Sequence, residues 1–240
     1  MNWIQDAGHG GRDPGAVANG NIEKIYTLEA ALYVNKRLND LGIKSTCTRV
    51  GDTDLEENQR VNVVKNYKKC LSHHFNAGGG SGTECIVSKY SNQKLANLII
   101  DKLKVYKFPT RPKTVYTRQL PNGQDYYYMH RRTGDCEVII VEYEFVDGPQ
   151  SGKIKDKVYR EKMYEAVVEA ICINEGIKYQ LPVKKPTEVI EKIEENEPSK
   201  WAKEAWEKAI AKGIFDGTNP KNELTREQAA LIIQRLGLLD

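Results

Sequence analysis

Apolar and polar positions along the chain alternate between short runs of β-type spacing and longer runs of helical spacing. Residues 2–6 predict a first strand, and Gly8, Gly10, Gly11 and Gly15 a turn after it where the backbone can take positive φ. From about residue 22 to Leu41 the spacing predicts an amphipathic helix, with Ile25, Leu28, Leu32 and Leu41 near one face and Gly42 ending it. Lys44–Arg49 alternates as a strand. Asp54 with Glu57 three residues on resembles a capping box opening a helix to about Lys69. Cys70–Phe75 and Thr83–Ser88 predict strands, and residues 92–105 a helix. Residues 107–135 carry three prolines, Tyr126-Tyr127-Tyr128 and many basic side chains, and read as surface loops with short strands. Val138–Val141 is the continuous apolar run of a strand buried on both faces, and a long helix over about 153–175 ends at Gly176. Strands alternating with helices predict an α/β domain over 1–178, a mainly parallel sheet flanked by helices.

A linker follows over 179–199, where three prolines and a charge run leave room for a short helix within 187–195. Residues 200–240 predict a small helical unit. Trp201, Ala205 and Ala209 mark one helix, closed near Gly213, and Thr225-Arg-Glu-Gln228 is the capping box of a second containing Leu231, Ile232 and Leu236. So few large apolar side chains make a marginal core. The unit is therefore expected to pack against the main domain, a second copy in a homodimer, or a partner.

Composition narrows the range of functions. A net charge of +3 gives no argument for a nucleic-acid partner. Residues 1–180 carry 26 basic and 22 acidic side chains, so the main domain is mildly basic and would not be repelled by an anionic polymer. No stretch approaches the roughly 18 apolar residues of a membrane span, so membrane insertion is not expected. Met1–Asp6 lacks the basic and long apolar regions of a secretory signal, which predicts a cytoplasmic product that reaches an outside target only after release by another agent. Cys47, Cys70, Cys85, Cys136 and Cys172 show no Cys-x-x-Cys spacing and read as buried free thiols from a reducing compartment.

The chemistry is concentrated at predicted strand ends. His9 stands in the glycine-rich turn, Glu23 follows it, and Ser72-His73-His74-Phe75-Asn76 offers a second histidine. Two histidines and a carboxylate form a common catalytic Zn²⁺ set that leaves a position open for water. His73 and His74 point to opposite faces of their strand, so one of them lines the site, and His74 shares its face with Ser72 and Asn76. Asp6 and Asp13 flank His9 and are placed to orient it, although Asp13 serves equally well to hold the turn. Glu142 and Glu144 share a face after the buried run, and either is a candidate acid–base beside the metal. His130, near the tyrosines, is a candidate substrate contact. No phosphate-binding glycine loop and no Ser/His/Asp or Cys/His arrangement competes.

These residues together resemble the zinc-dependent N-acetylmuramoyl-L-alanine amidases of the Amidase_3 type, and among them bacteriophage and prophage endolysins. The likeness covers about residues 1–178. It is carried by Asp6-Ala-Gly-His9-Gly-Gly-Arg-Asp13-Pro-Gly15-Ala16, by Thr48-Arg49…Asp54…Arg60…Asn62, by Ser72-His-His74-Phe-Asn76 and by Val141-Glu142-Tyr-Glu-Phe145. It implies a phosphorylase/hydrolase-like α/β fold with Zn²⁺ on His9, Glu23 and His74, and it favours Glu142 over Glu144 as the catalytic residue. Members often carry a proline and small residues where this chain has Gly134-Asp-Cys136-Glu137. The implied reaction is hydrolysis of the amide between N-acetylmuramic acid and L-alanine of bacterial peptidoglycan, by a protein made in the bacterial cytoplasm and acting on the wall during host lysis. Residues 200–240 are similar to part of an S-layer-homology repeat, which implies a hold on secondary cell-wall polymer. The alternatives are a host enzyme of wall remodelling or spore mother-cell lysis, a zinc peptidase cutting within the stem peptide, and a catalytically weak wall-binding protein.

Overall fold

The computed structural model describes residues 2–182, 198–215 and 225–238. The chain divides into two compact units, Met1–Gln180 and Leu181–Asp240. In the first, β1 (Trp3–Ala7) leads through a small hairpin, β2 (Val17–Ala18) and β3 (Asn21–Ile22), into α1 (Glu23–Asp40). Then come β4 (Ser45–Cys47), α2 (Glu57–Val64), β5 (Lys69–Asn76), β6 (Thr83–Val87), α3 (Lys94–Val105), β7 (Thr110–Tyr116), a one-turn α4 (Tyr128–Arg131), β8 (Glu137–Phe145) and α5 (Lys157–Glu175). Six strands form one sheet in the order β4-β1-β5-β8-β6-β7. The first four are parallel; β6 pairs antiparallel with β8, and β7 runs parallel to β6. The expected α/β architecture is thus present, with a reversed pair of strands at one edge.

Alternation along the strands sorts their side chains between two cores. Trp3, Leu71, Ile139 and Val141 face the larger one, built with α1, α3 and α5, whereas Ile4, Cys70 and Val138 face a smaller one with Val64 of α2 and Met129 of α4. Asp6, Ser72, His74 and Glu142 continue the second set towards the carboxyl ends of three adjacent parallel strands. That is where sites form in open α/β sheets.

Three expectations from the spacing are corrected. The buried stripe of α1 is Tyr26, Ala30, Val34 and Leu38, while Ile25 and Leu32 are exposed; small alanines let the helix approach the sheet closely. The capping box of α2 belongs to Glu56 and Gln59, with Glu56 N donating to Gln59 Oε1 at 3.0 Å, because Asp54 is engaged with Arg12. The helix stops at Val64, and β5 begins at Lys69. All five cysteines are free thiols, four of them buried.

In the second unit α6 (Lys203–Ala211) and α7 (Arg226–Arg235) are helical, and Trp206 stacks on Phe215 with ring centroids 4.8 Å apart. The short helix expected within 187–195 lies outside the described residues. Among the described residues, no helix is long and apolar enough to cross a membrane.

Candidate metal centre

Glycine chemistry decides how β1 delivers its histidine. His9 itself adopts φ 59°, and neighbouring glycines leave the room it needs. A Cβ on Gly8 would lie 2.3 Å from His74 Cε1, and one on Gly15 would lie 2.6 Å from Glu23 Oε2. Two arginines hold the turn by its carbonyls. Arg49 donates to Ala7 O at 3.1 Å and Gly8 O at 2.9 Å; Arg60 donates to Ala7 O at 2.7 Å and His9 O at 3.1 Å. Arg60 is itself paired with the buried Asp6, which also accepts from Thr48 Oγ1 and Ser72 Oγ.

On this frame His9, Glu23 and His74 converge, with ligand atoms all within 4.8 Å of one another. Glu23 Oε1 stands 3.1 Å from His9 Nε2 and 3.1 Å from His74 Nδ1. Backbone amides fix that carboxylate, Phe75 N donating to Oε1 at 3.0 Å and Ala16 N to Oε2 at 2.8 Å. Asp13 Oδ2 lies 2.8 Å from His9 Nδ1. With Nδ1 engaged there, Nε2 is the ring nitrogen turned towards Glu23 and the one left for a metal.

The electrostatics favour a cation at this point. Burial disfavours the charged imidazole of His9, yet Glu23 and Asp13 outweigh it and push its pKa up to about 9. Burial raises the carboxyl of Glu23, but the two histidines hold it far below the usual carboxylate range. A carboxylate between two imidazoles, in a cradle that only glycines leave open, suits a divalent ion with nitrogen and oxygen ligands.

Glu142 is the register partner of His74 and is half-buried. Its Oε2 is buried without a hydrogen-bond partner among the described residues. Burial first, then the charges of Glu23 and Glu84 against the pull of His74 and His9, raise its pKa to about 7. The three converging side chains and Glu142 share a cleft of about 600 Å³ that Glu56, Glu57, Tyr127 and Tyr128 also line.

The other candidates divide. Asp13 contacts His9, and Asn76 lines the cleft while donating to Glu84 at 2.9 Å. Asp6 is no direct partner of the His9 ring; it serves Arg60. His73 lies on the opposite face, between Tyr143 and Gln5. Glu144 is outside the cleft, accepting from Gly82 N and Phe145 N. The cause is a bulge: His74 pairs with Glu142 but Asn76 pairs with Phe145, so one extra residue on β8 breaks the alternation. His130 lines a different cavity, with Ser88 and Glu137, at the other end of β8; burial lowers its pKa to about 4.

Sequence reasoning alone missed the work of Arg49 and Arg60. A signal existed: an aspartate inside the apolar strand Trp3–Ala7 demands a buried cation.

Comparisons with known proteins agree with this geometry. Residues 4–172 match the Amidase_3 family, N-acetylmuramoyl-L-alanine amidase. The germination-specific N-acetylmuramoyl-L-alanine amidase of Bacillus subtilis is 30% identical over 188 residues, covering 69% of this chain and 76% of that protein. The sporulation-specific amidase of the same organism is 40% identical over 86 residues, 34% of each chain, and its amidase LytC is 28% identical over 171 residues, 68% of this chain and 33% of that one. The chain therefore spans about a third of the length of the last two. Among solved structures, the catalytic domain of CwlV from Bacillus (Paenibacillus) polymyxa var. colistinus superposes with a TM-score of 0.65 at 24% identity, covering 74% of this chain and 100% of that one. That likeness establishes the fold.

Proposed function

Because the chain belongs to the N-acetylmuramoyl-L-alanine amidase family, we propose that it hydrolyses peptidoglycan at the amide joining N-acetylmuramic acid to L-alanine, with zinc on His9, Glu23 and His74. The observation that carries this is the convergence of those three side chains beside Glu142, whose Oε2 lacks a partner. Bound zinc supplies Lewis-acid polarisation of the carbonyl and a lowered pKa for water. The chain does the rest. Glu23 and the two imidazole nitrogens would hold the ion, Asp13 would orient the His9 ring through Nδ1, and the arginine-clamped carbonyls keep the turn in place. Glu142, with a pKa raised to about 7, is suited to take a proton from the attacking water and return it to the departing alanine amine.

The test is on products. Peptidoglycan incubated with the protein should release new L-alanine amino termini without new reducing sugars; a chelator should abolish this and Zn²⁺ restore it. Amines from within the stem peptide would instead assign a peptidase.

For the biological setting, the resemblance to endolysins supports wall lysis at phage release. The names of two relatives support a second reading, wall breakdown in sporulation or germination. Flanking genes and the timing of the transcript separate the two. We further propose that 200–240 holds a wall polymer or a second copy, since Trp201 is 90% exposed. Wall co-sedimentation and solution mass of Trp201→Ala test this.

A further inference from the structure

A buried carboxylate faces the half-buried Glu142. Glu84 of β6 is its register partner on the side away from His74, and it is buried. Two carboxylates directly opposed repel unless one is compensated. Glu84 is compensated three times. Its Oε1 accepts from Asn76 Nδ2 at 2.9 Å and from the Tyr116 hydroxyl at 3.0 Å, and its Oε2 lies 3.2 Å from Arg111 Nε.

Arg111, with its side chain 37% exposed, is held by one ion pair and two packing contacts. Nε is on Glu84, the guanidinium carbon sits 5.1 Å from the Phe145 ring centroid, and Nη1 occupies the space that a Cβ on Gly80 would enter, 2.6 Å away. Yet Nη1 and Nη2 have no hydrogen-bond acceptor among the described residues. One edge of the fork is anchored and the outer edge is free. A buried glutamate, a tyrosine and an asparagine thus serve to present a fixed planar cation.

Its place in the site follows from the strand order. Asn76 lines the cleft and touches Glu84, which touches Arg111 on β7; the Asp54 and Glu56 wall instead pairs with Arg12 in the turn after β1. Arg111 therefore lies one strand beyond Glu84 from Glu142, on the β7 side of the sheet, outside the cleft lining and linked to it through Glu84 and Asn76. The carboxyl of muramic acid is consumed in the scissile amide, so anions left near that bond belong to the peptide.

We propose that Arg111 reads a free carboxylate of the stem peptide beyond the scissile L-alanine, taking it in a two-pronged pair on its outer edge, with Glu84 as the residue that positions it. This rests on the amidase reading above. It makes the protein selective for stem peptides whose carboxylate is not amidated.

The experiment uses three probes: an N-acetylmuramoyl-L-alanyl-γ-D-glutamyl peptide, its α-carboxamide, and its C-terminal carboxamide. Binding is measured by calorimetry to the zinc-loaded full chain carrying Glu142→Gln, and turnover with the unaltered protein. One of the two carboxamides should lose about tenfold or more in affinity and in KM, with kcat little changed, and which one identifies the carboxylate. Adding Arg111→Gln should bring the affinity ratio to within about twofold of unity, and Arg111→Lys should restore only part of it. Equal affinity for all three probes, discrimination that survives Arg111→Gln, or no binding of any probe overturns the proposal. A purely structural role for Arg111 would lower all affinities together and leave the ratio intact. Discrimination in binding without turnover of any probe would overturn the amidase reading while this one stands.

Discussion

Replacing Arg60 with leucine removes the cation from a pair whose side chains are 5% and 1% exposed. Solvent screening is negligible at that burial, so the loss counts in full. Asp6 keeps its bonds from Ser72 and Thr48 but loses its counter-charge, while Ala7 O and His9 O each lose a donor. Breaking a buried pair by removing one partner costs about 3–5 kcal/mol. For a chain of this size that is about 6–20 °C in Tm, taking about 2–4 °C per kcal/mol. Urea unfolding of the zinc-free protein, followed by circular dichroism, measures it. Adding Asp6→Asn should recover about half, because the stranded charge is gone although His9 O still lacks its donor and Ala7 O keeps only Arg49. The pH profile gives an independent check. Burial raises the carboxyl of Asp6, but Arg60, Ser72, His74 and Thr48 together hold it below its ordinary 3.8. A depressed folded-state pKa contributes stability above the unfolded value, lost as pH falls through the folded one. Arg60→Leu should flatten that acid-side loss. A cost below about 1 kcal/mol, or no gain from Asp6→Asn, would refute the account of this pair.

Other outcomes follow from the same geometry. Glu142→Gln should keep zinc, read by metal analysis after dialysis, and lose about a hundredfold or more in rate; near-normal turnover would remove it from the mechanism. His74→Ala should lose metal, whereas His73→Ala should retain it and lose stability through the Tyr143 and Gln5 bonds. Asp13→Asn should weaken zinc about 10–100-fold in chelator competition, with zinc-free stability nearly unchanged because Asp13 is exposed.

How much of this could be read from the chain depends on the range over which each cause acts. The His9 turn was legible because its glycines, Asp13 and the histidine are neighbours in sequence. His74 was separable from His73 because strand alternation is a local rule, and β5 keeps it up to His74. Glu144 shows where that rule stops: one extra residue in β8 moves it from the cleft to the amides of Gly82 and Phe145, and nothing in Val141-Glu142-Tyr143-Glu144 announces a bulge set by the partner strand. β7 was obscured by Pro109 and Pro112, which an edge strand tolerates because its outer amides pair with nothing in the sheet. Glu84 and Arg111 had no local signature, since β6 and β7 contribute one residue each and become neighbours only in the reversed edge of the sheet. What sequence conveyed was therefore the part of the site that one loop or one strand builds alone. The residues that hold it, Arg49 and Arg60, act across strands, and each answers a buried charge or a bare carbonyl left by the segment it serves.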